Sequence, residues 1–235
     1  LALASIIAVL AVLAPTTSGT AVAVEPGAYR DTFDGDAVGA FPGRWAVVDG
    51  VGEVAVRTVE DGRKALHAVV TPGERAMLSF EEVLADEALT AASSGLDVRA
   101  AIRMTQADHP HAVNIGWGWQ EDPRETRALG LNLNAVDADY RAFKHVNDDG
   151  TFLGTGQDFS RSAAGEWLFA RMRQAAGTDT VEYRVWFADE SEPTDWQSVT
   201  GMDAPINDRV GLWFFADGEQ FVDADIAEFS VVAYG

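Results

Sequence analysis

Apolar residues fall on alternate positions in run after run of this sequence, and each run stops at a cluster of turn-forming residues. The clearest runs are 51–59 (VGEVAVRTV), 129–133 (LGLNL), 167–173 (WLFARMR) and 181–187 (VEYRVWF). A period of two places alternate side chains on opposite faces of an extended chain, so each run predicts a strand with one buried face. Between the runs stand Val48-Asp49-Gly50, Glu60-Asp61-Gly62, Asn147-Asp148-Asp149-Gly150, Ala176-Gly177-Thr178-Asp179 and Ala216-Asp217-Gly218. These residues tolerate positive φ and predict tight turns between antiparallel neighbours. Only 81–92 (EEVLADEALTAA) suits a helix, with acids at its start and Ser93-Ser94-Gly95 to end it.

More than a dozen strands in about two hundred residues predict two stacked sheets, because one open sheet of that size would expose a whole apolar face. No linker or composition shift divides the region, and no solenoid or propeller repeat is present. The expected fold class is therefore all-β: a two-sheet antiparallel jelly-roll sandwich with at most one short helix. With 47% hydrophobic residues and no cysteine, the chain relies on core burial and not on disulfides or thiolate chemistry.

The N-terminal run 1–13 (LALASIIAVLAVL) carries no charge, and Pro15-Thr16-Thr17-Ser18-Gly19 interrupts it well short of a membrane-spanning length. Ala21-Val22-Ala23 then supplies the small residues that a signal peptidase reads. The expectation is a signal peptide over 1–23, cleavage before Val24, and a domain over 24–235 that is secreted or held at the cell surface. An N-terminal hydrophobic anchor is the competing reading. No stable membrane span is expected after cleavage.

The formal charge is −20, with 37 acidic side chains against 17 lysines and arginines. Lys64 and Lys144 are the only lysines. Such a surface repels a phosphate backbone, which argues against nucleic-acid binding. No G-x-S-x-G elbow, phosphate-binding loop or dinucleotide fingerprint is present. His109-Pro110-His111, beside Asp108, lacks the spacing of a known zinc site and is expected to be a loop.

Asp31, Phe33, Asp34 and Gly35, followed by Gly39, Pro42 and Trp45, form a D-x-F-D-G…G…P…W opening. This opening resembles that of bacterial laminin-G-like domains of the concanavalin A-like lectin/glucanase superfamily. Further similarity lies in the alternating Trp and Arg of 167–173, and in Tyr183-Arg184-Val185-Trp186 with Glu192-Pro193 and Trp196. Arg209-Val210-Gly211-Leu212 and the closing run 221–232 extend it over nearly the whole region.

The resemblance implies a ligand groove on a concave sheet and a glycan or other surface polymer as partner. It places the groove near 114–120, 130–134 and 140–145. Alternation sets Trp117 and Trp119 on one face, where they would stack on sugar rings, with Gln120, Asn132, Asn134 and His145 as hydrogen-bonding neighbours. Packing within the core is the alternative role for the indoles. The resemblance also implies a structural Ca2+ between the first and last strands, with Asp34 and Asp225 as ligands assisted by backbone carbonyls.

Glucanases on this fold carry paired carboxylates in an E-x-D-x-x-E strand. Here only Asp223, Asp225 and Glu228 approach that spacing, with Asp first and in the last strand, so no catalytic residue is assigned. The expected function is an exported, non-catalytic recognition module. The alternatives are a secreted glycoside hydrolase or polysaccharide lyase, and a structural or adhesive domain of an envelope or virion.

Overall fold

A computed structural model describes residues 28–50, 52–84, 95–105, 111–118, 127–134, 139–146, 149–200, 209–216 and 221–235. At 83–84, 111–112, 127–129, 145–146, 149–152 and 154–155 it describes the backbone only. The expected signal peptide, Trp119, Gln120 and the His109-Pro110 pair lie outside the described residues.

The elements run in chain order as β1 (Ala28–Asp31), β2 (Trp45–Gly50), β3 (Glu53–Thr58), β4 (Lys64–Val70), β5 (Arg75–Phe80) and the one-turn helix α1 (Glu81–Leu84). There follow β6 (Gly95–Met104), β7 (His111–Trp117), β8 (Arg127–Asn134), β9 (Asp139–Val146) and β10 (Asp149–Asp158). The last are β11 (Trp167–Gln174), β12 (Val181–Phe187), β13 (Gln197–Val199), β14 (Val210–Ala216) and β15 (Val222–Tyr234). No helix among the described residues is long and apolar enough to cross a membrane.

All pairings are antiparallel and form two sheets. One has the order β13-β12-β11-β6-β15-β4-β3, with β1 also paired to β15, and is eight-stranded. The other is seven-stranded, in the order β10-β9-β8-β7-β14-β5-β2. Each sheet turns one face inward, as the period-two runs require. In β11, Leu168, Ala170 and Met172 are buried in the core while Trp167, Phe169, Arg171 and Arg173 point outward. In β14, Val210, Leu212 and Phe214 face inward and belong to the same core as Ile102 and Ile226 of the other sheet. The expected two-sheet jelly roll is thus the observed fold.

The D-x-F-D-G…W opening is a structural device. Asp31 is buried; its Oδ1 accepts the Phe33 amide at 2.8 Å and its Oδ2 accepts the Trp45 indole N–H at 2.9 Å. Phe33 has φ +59°, an outlier for a bulky residue that costs on the order of 1–3 kcal/mol. Burial offsets that cost, because Phe33, Trp45, Phe80 and Phe229 form one aromatic cluster with centroids 5.0–6.1 Å apart.

Candidate functional site

The outer face of the seven-stranded sheet is ordered in rows that cross the strands. Phe143, Gly130, Gly116, Gly211, Ser79 and Ala46 stand in one row of the register. The next row is Arg141, Asn132, Asn114, Trp213 and Met77, and the one after it is Asp139, Asn134, Ala112, Phe215 and Arg75. A band with almost no side chains therefore lies beside a band of amides and aromatics.

Glycine is required in that band for packing. A Cβ on Gly130 would sit 2.3 Å from the Phe143 ring, and one on Gly211 would sit 1.9 Å from the carbonyl oxygen of Leu78. The Phe143 ring thus packs against the backbone of β8 at Gly130, 5.8 Å from the ring of Trp213, which meets Phe215 edge-on at 6.0 Å. Phe143 and Trp213 are buried, whereas Phe215 is 40% exposed. The aromatic chain surfaces at its Phe215 end.

The amides are tied together. Asn132 donates to Asn114 Oδ1 at 2.8 Å, and Asn114 donates to the carbonyl of Trp213 at 2.9 Å. Both are buried. At the β9 end Arg141 donates to Asp139 Oδ2, while Asp139 Oδ1 is buried with no hydrogen-bond partner. A buried carboxylate oxygen in that state is a strong acceptor.

Around Phe215 the face opens. Gly50, Gly73, Glu74, Arg75 and Phe215 line a depression of about 310 Å3. Arg75 is held by Asp49, with Nε and Nη2 at 2.7 and 2.6 Å from Oδ2. The turn carrying Glu74 is fixed to the end of β14 by backbone bonds from Gly73 to Ala216 and from Ala216 to Glu74. A depression of similar volume, about 320 Å3, lies beside Arg57, Glu60 and Arg103 on the other sheet, so it is the lining and not the size that sets this one apart. That lining combines an exposed aromatic ring with a guanidinium and carboxylates.

The residues expected from sequence separate on this geometry. Asn132 and Asn134 sit on the outer face of the seven-stranded sheet, the first buried and the second half-buried. His145 pairs with Ala128 at the far end of β9, and its side chain lies outside the described residues. Trp117 requires correction. It is fully buried in the main core, so its face cannot meet a ligand. Gly116 takes the outward position beside it. Trp213, Phe215, Arg75 and Asp139 were not singled out by sequence, although Trp213 and Phe215 alternate with core residues in the run 210–216.

The expected calcium pair also fails on chemistry. Asp225 is fully buried between Arg57 Nη2 at 2.6 Å, Arg103 Nη2 at 2.7 Å and His67 Nδ1 at 3.2 Å. Burial alone would raise its pKa, but hydrogen bonds from His67, Arg57 and Arg103 bring it down to about 2. A carboxylate enclosed by two guanidiniums does not attract a divalent cation. Asp34 Oδ2 accepts the Thr32 hydroxyl at 2.9 Å. The carbonyls of Asp34 and Asp36 accept from the Lys64 ammonium at 2.8 and 2.6 Å, so a side-chain cation already occupies them. These residues do not fit a Ca2+ ion.

Nor does the Asp223, Asp225 and Glu228 strand form an acid–nucleophile pair. A glycosidase acid needs a raised pKa, whereas that of Asp225 is lowered and Glu228 is bound to Arg30 at 2.8 Å.

No protein-family profile matches this sequence, and no curated protein matches it. Similarity to solved structures is extensive in shape and low in sequence. Arcelin-5, a lectin-like defence protein from Phaseolus vulgaris, superposes with a TM-score of 0.54 at 8% identity, covering 88% of this chain and 97% of that one. The glycoside hydrolase family 43 protein BlXynB from Bacillus licheniformis gives a TM-score of 0.53 at 12% identity, covering 87% of this chain. This chain spans 39% of the length of BlXynB. At such identities the comparison establishes the fold: a jelly-roll sandwich of the concanavalin A-like type.

Proposed function

We propose that this concanavalin A-like sandwich is an exported, non-catalytic module that recognises a glycan or similar surface polymer through the outer face of its seven-stranded sheet. The observation that carries this reading is the Phe215 depression. There an exposed ring at the end of a buried aromatic chain stands beside the Arg75–Asp49 pair and Glu74. Rigid aromatic and ion-paired groups lose little conformational entropy on binding, which favours recognition by a preformed surface. A lectin-like protein and a glycoside hydrolase among the structural neighbours are compatible with a carbohydrate ligand.

The test is a glycan array incubated with the full chain and read both for bound protein and for released sugar. Binding without release is the expected result. Release of shortened glycans would replace this reading with a hydrolase or lyase, and silence on every glycan would favour a structural or adhesive domain.

A further inference from the structure

The outer face of the eight-stranded sheet carries a second cross-strand row, and it is made of arginines. Arg184 in β12 pairs with Arg171 in β11, Arg171 pairs with Arg99 in β6, Arg99 pairs with Ser230 in β15, and Ser230 pairs with Arg30 in β1. Like charges directly opposite each other in a sheet repel, so such a row persists only where anions balance it. Three of the four arginines have their anion. Arg171 holds Asp97 at 2.6 Å and Glu192 at 2.7 Å, Arg184 holds the same Glu192, and Arg30 holds Glu228 at 2.8 Å.

Arg99 differs. Among the described residues it has no carboxylate within ion-pair distance, and its Nε is buried with no hydrogen-bond partner. Its guanidinium lies 4.3 Å from the Phe169 ring centroid and 5.5 Å from that of Trp186, and the two rings are themselves stacked at 5.4 Å. The aromatic pair fixes the orientation of the side chain, and Glu192 acts on it electrostatically from beyond ion-pair distance while being bound directly by Arg171 and Arg184.

The 188–196 segment covers the neighbouring half of the row. Arg184 donates to the Pro193 carbonyl, and Trp196 lies 3.8 Å from the guanidinium carbons of both Arg173 and Arg184. Beyond that cover the row continues as Arg99, Ser230 and Arg30, where the Arg30 side chain is 63% exposed.

We propose that Arg99, with the Ser230 hydroxyl and the neighbouring Arg30, binds an external oxyanion: a carboxylate or sulfate group, either free or carried on an acidic sugar. With Nε buried, it is the Nη1 and Nη2 end of the guanidinium that matches both groups through parallel charge-assisted hydrogen bonds, and the aromatic pair holds that end in place. This site lies on the opposite sheet from the Phe215 depression and does not depend on it.

The test is calorimetric titration of the full chain at pH 7 and low ionic strength with sodium sulfate, an oligogalacturonate and a sulfated oligosaccharide. The expected result is saturable binding of at least one of these, weakened tenfold or more in Arg99→Gln and several-fold in Ser230→Ala. Binding of sulfate alone would identify the source as a free ion, and binding of an oligosaccharide would identify it as an acidic glycan. Because Arg99→Gln also removes the cation–π contacts with Phe169 and Trp186, its melting temperature is measured alongside, and a folded variant with a cooperative transition is required for its weaker binding to count. Arg99→Lys, which keeps the charge and loses the fork, should bind more weakly than the wild type. Absence of saturable binding in the wild type, or equal affinity in Arg99→Gln, overturns the proposal.

Discussion

On the outer face of the eight-stranded sheet nearly every long polar side chain belongs to an ion pair and the aromatic rings lie against arginines, whereas the seven-stranded sheet has a centre of amides, glycines and aromatic rings flanked by two ion pairs, Arg141–Asp139 and Arg75–Asp49. Arg57, Arg103, Arg171, Arg173 and Arg184 each meet a carboxylate, and Trp196 packs on three of them. Across the sandwich, Asn114, Asn132 and Gly130 place neutral groups in equivalent rows. The inner faces are alike, since both must bury apolar residues. The outer faces are free to differ, and they do so in how charge is distributed. Paired charges tie one surface together across its strands, while the centre of the other is held by neutral amides and packed rings.

The comparison breaks first at Asp225. Replacing it by alanine leaves Arg57 without its carboxylate, and Arg103 and His67 with only Glu60 and Asp223, and should cost about 3–5 kcal/mol in urea unfolding. A loss below about 1 kcal/mol would show that the charged network does not hold that face. Titration probes the same group more gently. Its pKa is lowered from 3.8 to about 2, so the stabilisation is complete above pH 4 and fades as pH falls toward 2. About 2 kcal/mol should vanish across that window in acid unfolding curves, and not in Asp225→Asn.

On the opposite face Asn132→Ala removes the donor to Asn114 Oδ1 and should cost about 1–3 kcal/mol, because a buried acceptor is left unpaired. A larger loss than for Asp225→Ala would reverse the ranking of the two faces. Chelation is expected to have the smallest effect. With Lys64 on the Asp34 and Asp36 carbonyls, excess EDTA should leave the melting temperature unchanged, and a drop of several degrees would restore calcium to the account.

Much of the sandwich was legible in the sequence because strand alternation and turn chemistry are local signals. The opening motif was legible for a related reason: Asp31 binds Phe33 and Trp45, all within fifteen residues. The sites were less so. Alternation places Trp117 and Gly116 on opposite faces but does not say which face is the core, and the indole proved to be inside. The arginine row joins residues 30, 99, 171 and 184, and Asp225 meets partners 122 to 168 residues away. Only register across distant strands brings such groups together, and register is not written in any short stretch of sequence.

The most direct test of the seven-stranded face as the recognition surface compares two aromatic truncations with a neutral glycan identified on the array. Phe215→Ala, at a half-exposed site, should leave stability within about 0.5 kcal/mol of wild type and weaken glycan affinity about tenfold or more in calorimetric titration. Trp196→Ala, on the opposite sheet, should leave that affinity unchanged. Loss of affinity in Trp196→Ala with full binding by Phe215→Ala would contradict the assignment and move recognition to the charged face.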